Sequence, residues 1–157
     1  MNTPPEVRLS MPARAEGVGV VRQALSGVAD ALDFDDAVIA DMKMAVTEAC
    51  TNVVVHAYEE EEGVLEVDMR TAEDALTIAV RDHGAGIHPR PAAKRTPALG
   101  LGLPLIAALS DAFELRGSSG EGTEVRMTFA FDRASDPVAD NPVRGSVGAD
   151  GKWDAHG

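Results

Sequence analysis

The stretch from Asp41 to Tyr58, DMKMAVTEACTNVVVHAY, constrains the fold of this chain more than any other. No Pro or Gly interrupts it, so it can run as a helix of several turns. At about 100° per residue, Met42, Val46, Cys50, Val53 and Ala57 fall on one apolar stripe. Glu48, Asn52 and His56 follow one another at i, i+4 spacing, roughly 140° from that stripe. One face is therefore expected to pack on a sheet. Another carries a carboxylate, a carboxamide and an imidazole in a row.

That row has a chemical reading. A carboxylate can take a proton from a hydroxyl or orient a water. A carboxamide oxygen one turn on is a hard ligand suited to Mg²⁺, which keeps several waters and bridges substrate phosphates. Taken alone, E-x-x-x-N is most often a solvated polar face. Its weight here comes from glycine-rich sequence downstream.

Upstream, Glu6 to Ala13 alternates Val7, Leu9 and Met11 against Arg8 and Ser10, which predicts a half-buried strand ending at Pro12, at a sheet edge. A helix is expected from Ala15 to Leu32, weakened by Gly17, Gly19 and Gly27. The loop around Asp33 to Asp36 supplies acidic caps for the next helix. Downstream, Val64 to Thr71 and Ala75 to Arg81 read as an antiparallel hairpin turning at Glu73 and Asp74. It leads into Asp82-His-Gly84-Ala-Gly86, where glycines let the backbone approach a ligand closely.

The run Ile87 to Leu99 holds three prolines and no apolar period, and reads as a lid or binding loop. Its cluster Lys94, Arg95 and Thr96 serves either solubility or a mobile grip on phosphates. Gly100-Leu101-Gly102-Leu103-Pro104 then opens an apolar helix. Pro104 is expected in its first turn and the glycines just before it, a pattern that makes an anion site from free amides. Asp111 to Arg116 and Glu124 to Phe131 read as two strands joined through Gly122-Thr123. The domain is expected over residues 1–131, followed by a disordered acidic tail over 132–157.

The formal net charge of −12 argues against nucleic acid as a direct partner, because phosphate repels such a surface. A single cysteine, Cys50, excludes an intrachain disulfide, and its place on the apolar stripe predicts an inert buried thiol. No signal peptide or membrane-length apolar run is present, so a cytoplasmic protein without membrane contact is expected.

The order E48-x-x-x-N52, D82-x-G-x-G86, lid, G100-L-G102 and G122-T123 resembles the GHKL ATP-binding superfamily of histidine kinases, Hsp90, gyrase B and MutL. TEACTNVVVHAY and GLGLPLIAALSDAFEL resemble, more closely, the anti-sigma-factor serine/threonine kinases of bacterial partner-switching systems. The resemblance covers Val7 to Phe131. It implies an α/β two-layer sandwich of the Bergerat type, with helices on one face of a mixed, mainly antiparallel sheet.

The resemblance further implies ATP and Mg²⁺ as cofactors, with Asn52 on the metal and Glu48 as catalytic base. Asp82, supported by Thr123, would accept from the adenine amino group, and Gly84 and Gly86 would shape that pocket. Gly100, Gly102 and the neighbouring amides of Leu101 and Leu103 would cradle phosphates. The implied partners are an anti-anti-sigma protein of the STAS fold, which is phosphorylated, a sigma factor, which is held, and a second copy in a homodimer. Pro97, Ala98 and Leu99 depart from the basic and hydroxyl residues of some relatives. That departure leaves open a catalytically weak, ATP- or ADP-responsive binding module, and a third reading is another GHKL ATPase or a histidine-kinase catalytic domain.

Overall fold

A computed structural model of the chain describes residues 6–57, 63–84, 99–118 and 122–131. Five strands form one sheet in the order β1-β2-β3-β5-β4: β1 Glu6–Pro12, β2 Val64–Thr71, β3 Ala75–Asp82, β4 Ala112–Ser118 and β5 Gly122–Ala130. All four pairings are antiparallel, so the sheet as described is purely antiparallel rather than mixed. Helices α1 Ala15–Ala31, α2 Asp36–Asn52 and α3 Leu99–Leu109 lie side by side, α2 in the middle, with their contacts on the sheet running from β1 and β2 to β4.

Alternation along the strands explains the layering. Leu65, Val67 and Met69 of β2, Leu76, Ile78 and Val80 of β3, and Val125, Met127 and Phe129 of β5 all point to the helix side and are buried. They meet Val21 and Leu25 of α1, Met42, Val46 and Cys50 of α2, and Ile106 of α3 in one core. Burying each such side chain contributes about 1.5–3 kcal/mol. The apolar stripe predicted for the central helix is thus its core face, and burial pushes the Cys50 thiol up to about 12.

The opposite sheet face is a charge lattice. Asp68 takes the Arg81 guanidinium at 2.8 Å, and Arg8 and Arg70 approach it within ion-pair reach. Arg81 also donates to Glu124, which Arg126 approaches at 2.8 Å. Burial pushes the Glu124 carboxyl up, but the Arg81 hydrogen bond and the Arg126 charge outweigh it and hold the group below its ordinary range.

Four local features differ from the sequence reading. Helix α1 is intact through its glycines, and Gly17 is a packing residue: a β-carbon there would sit 2.8 Å from Met11 Sδ. Helix α2 begins at Asp36, and Asp35 holds the N-cap position without a side-chain cap hydrogen bond, so the acidic cap acts through the helix dipole. After Asn52 the helix widens into a π-turn over Val53–Ala57. Helix α3 starts at Leu99, so Gly100 and Gly102 lie inside its first turns and Pro104 is internal, not first-turn. Lacking an N–H, Pro104 leaves the Gly100 carbonyl without its usual helical donor.

Candidate functional site

The candidate residues fall in two groups, one where the end of α2 meets α3 and one at the end of β3. Asn52 closes α2 and is half-buried, and Glu48, one turn earlier on the same flank, is also half-buried. That flank faces α3. A β-carbon placed on Gly102 would stand 3.0 Å from Asn52 Nδ2 and 3.4 Å from Oδ1. The missing side chain of buried Gly102 is therefore what makes room for the carboxamide. Leu103, the next residue, is partly buried and packs its side chain against the core.

The first turn of α3 spans Leu99, Gly100 and Leu101. Its N–H groups have no acceptor within the helix and carry the positive end of the dipole. The two glycines expected ahead of this helix therefore lie within its first turns.

Asp82 ends β3 on the helix side of the sheet, two residues beyond the core residue Val80. It is 8 % exposed, an unusual depth for an unpaired carboxylate. Burial raises its pKa, and backbone N–H groups of Gly84, at 2.9 Å, and Thr123 oppose that rise by donating to it. Asp82 and Thr123 are register partners across β3 and β5, so the two residues paired in the sequence reading are adjacent. Gly122 holds the corner: its φ is +82°, and a β-carbon there would fall 2.1 Å from the Asp82 carbonyl oxygen.

Among the described residues the structure brings Asn52 and Gly102 together at the α2–α3 contact, with Glu48 one turn before Asn52 on α2, and brings Asp82, Gly84 and Thr123 together at the end of β3. The turn Val53–Ala57 packs against β3 and joins the two groups. Gly86, Lys94, Arg95 and Thr96 lie outside the described residues. Sequence reasoning did not single out the contact of Gly102 with Asn52 or the positive φ of Gly122. Only the glycine in Gly122-Thr123 pointed toward the second.

The residues fit a magnesium–nucleotide ligand by their chemistry. Among the described residues no cluster of three or more His, Cys, Asp or Glu side chains could hold a metal ion. A site whose protein donor is one carboxamide suits Mg²⁺, which takes its remaining ligands from phosphates and water. Among the described residues no helix is long and apolar enough to cross a membrane.

The profile described as the histidine kinase-like ATPase domain matches residues 11–129. The chain belongs to the histidine kinase-like ATPase family. Within it, the serine-protein kinase RsbW of Bacillus cereus strain Q1 is 35 % identical over 88 % of this chain and 92 % of its own length. A second RsbW, from Bacillus thuringiensis strain Al Hakam, is 34 % identical over the same shares.

Among solved structures, the RsbU and RsbW domains of a Mycobacterium tuberculosis protein superpose with a TM-score of 0.63 and 23 % identity. The match covers 80 % of this chain and 32 % of that longer chain. A blue-light activated histidine kinase from Erythrobacter litoralis aligns with a TM-score of 0.56 and 17 % identity, over 79 % of this chain and 43 % of its own. These structural likenesses establish a histidine kinase-like ATPase fold.

Proposed function

We propose that this chain is an ATP-dependent serine/threonine protein kinase of the RsbW type, acting as an anti-sigma factor in a partner-switching system. The near full-length identity to serine-protein kinases supports the activity. The observation that carries the mechanism is Asn52 set against Gly102 of α3, with Glu48 one turn earlier on α2.

Phosphoryl transfer asks mainly for positioning and charge neutralisation. Asp82 accepts the adenine amino group, and a guanine, which presents an acceptor there, is rejected. The first-turn amides of α3 hold phosphate oxygens, with Lys94, Arg95 and Thr96 as further cationic and hydroxyl contacts. Asn52 is the residue that would hold Mg²⁺, which supplies charge neutralisation at the phosphates. Glu48 takes the proton from a Ser or Thr hydroxyl. The hydroxyl oxygen forms its bond to the γ-phosphorus as the bond to the ADP oxygen breaks.

The acceptor in this reading is a STAS-domain anti-anti-sigma protein. Its unphosphorylated form releases a sigma factor from the kinase, and phosphorylation returns the kinase to the sigma factor. The kinase works as a homodimer. The test is incubation of the purified chain with Mg²⁺-ATP and the STAS-domain protein from the same genome, followed by intact-mass analysis and site mapping. A single phosphoserine or phosphothreonine on the STAS protein is the expected result. Unmodified STAS protein, with ATP consumed or untouched, contradicts the reading.

A further inference from the structure

Helix α2 is the middle helix of its layer, and its outward side lies at the centre of the helical surface. Ala40, Met44, Thr51 and Val55 recur there at helical spacing and all four are exposed. Met44 is 51 % and Val55 57 % exposed, and both are among the few large apolar side chains left to solvent in the described residues. The Thr47 hydroxyl beside them donates to the Lys43 carbonyl at 2.6 Å, so it asks nothing of a partner. An uncharged stripe thus crosses the face of a chain whose net charge is −12.

Glu48 sits at the edge of this stripe, one turn after Met44 and one turn before Thr51. A base takes a proton only from a hydroxyl within about 3 Å. Whatever brings the acceptor hydroxyl to Glu48 must therefore cover the turns on either side. On the flank away from α3, a cleft between α1 and α2 is lined by Gly19, Arg22, Gln23, Ser26 and Lys43. Its two cations lie beside the uncharged stripe.

We infer that the outward stripe of α2, Ala40, Met44, Thr51 and Val55, is the docking surface for the protein that carries the acceptor hydroxyl. The Arg22 and Lys43 flank receives acidic residues on that protein's rim. This rests on the kinase reading above, since it is Glu48's task that fixes which partner must lie here. The stripe runs roughly 23 Å, close to the width of a small domain. Its contact removes no charge from water, whereas a partner on the acidic parts of the surface would have to desolvate carboxylates. Charge on the rim sets encounter rate and partner choice, and apolar anchors at the centre set the dissociation rate.

The test uses the full chain, the STAS-domain protein and the variants Met44→Glu, Val55→Glu and Arg22→Glu. Calorimetric binding of the STAS protein in ADP gives Kd, and steady-state transfer gives its KM. Both rise by about tenfold or more in Met44→Glu and Val55→Glu. Affinity for a fluorescent ATP analogue and KM for ATP stay within about twofold, which also certifies the fold of the variants. Arg22→Glu weakens STAS binding most at low salt.

STAS binding unchanged in both apolar variants overturns the inference, as does wild type that binds no STAS protein in any nucleotide state. Loss of self-association with STAS binding intact also overturns it, because the stripe would then join two copies of this chain. Binding that depends on Met44 and Val55 without phosphate transfer upholds the docking surface and removes the kinase reading instead.

Discussion

The carboxamide of Asn52 lies against the backbone of Gly102, with room for no side chain between them. The distance that a β-carbon would have to Nδ2, 3.0 Å, is tighter than a relaxed contact. Because Asn52 ends its helix and is half-exposed, it can give way, and the cost falls on its position rather than on the fold. Gly102→Ala is therefore expected to weaken Mg²⁺-ATP binding by about tenfold while shifting the melting temperature by only about 2–4 °C. Fluorescent-nucleotide titration and thermal melting of the same sample measure the two effects separately.

Gly122 presents the opposite case. Its φ of +82° and the 2.1 Å approach of a β-carbon to the Asp82 carbonyl leave backbone, not a mobile side chain, in the way. Gly122→Ala should cost about 2–4 kcal/mol, and a circular-dichroism melt should show a fall of roughly 10 °C or more. A melt within a degree or two of wild type would contradict the strained corner.

Asp82 ties folding to protonation. Its folded pKa is raised by burial, so the folded state holds a proton that the unfolded chain has already released. The cost of ionising it is absent at low pH. It grows as pH climbs from the ordinary Asp range through the raised folded value, and is complete above that. Asp82→Asn removes this cost and keeps an oxygen for the Gly84 N–H. The variant's melting temperature relative to wild type should therefore rise as pH climbs from the ordinary Asp range through the raised folded value. ATP affinity should fall about 10–100-fold, because an amide is a weaker acceptor than a carboxylate for the adenine amino group.

Glu124 runs the other way. Arg81 and Arg126 hold its folded pKa below the ordinary value, so the stabilisation is fully present above the glutamate range and is lost as pH falls through the folded value. Glu124→Gln should lose about 1–2 kcal/mol at neutral pH. The gap between its melt and that of wild type should close as pH falls through the lowered folded value. A gap that is constant with pH would remove the ion pair as its cause.

Much of this was legible in the sequence, because the fold is written in periodicity. Val7, Leu9 and Met11 alternate and pack against the core, and Met42, Val46 and Cys50 recur at helical spacing and are buried within it. Asp82 and Thr123 were paired by resemblance and prove to be register neighbours. What periodicity could not show is how backbones approach one another. In one dimension Gly17 looks like a helix weakener and Gly102 like a glycine ahead of a helix, and only the contacts with Met11 and Asn52 reveal them as packing residues. Pro104 looked like a helix start because proline is favoured there, but the apolar run before it extends the helix back to Leu99. The π-turn after Asn52 has no signature in composition at all.

Glu48 is the group proposed to receive the acceptor's proton, and separating chemistry from binding tests that role most directly. Single-turnover phosphate transfer to the STAS-domain protein should be measured for wild type and Glu48→Gln, alongside their affinities for ATP. The expected result is a transfer rate lowered by about 10²–10⁴-fold with ATP affinity within about twofold of wild type. Transfer by Glu48→Gln at the wild-type rate would contradict it.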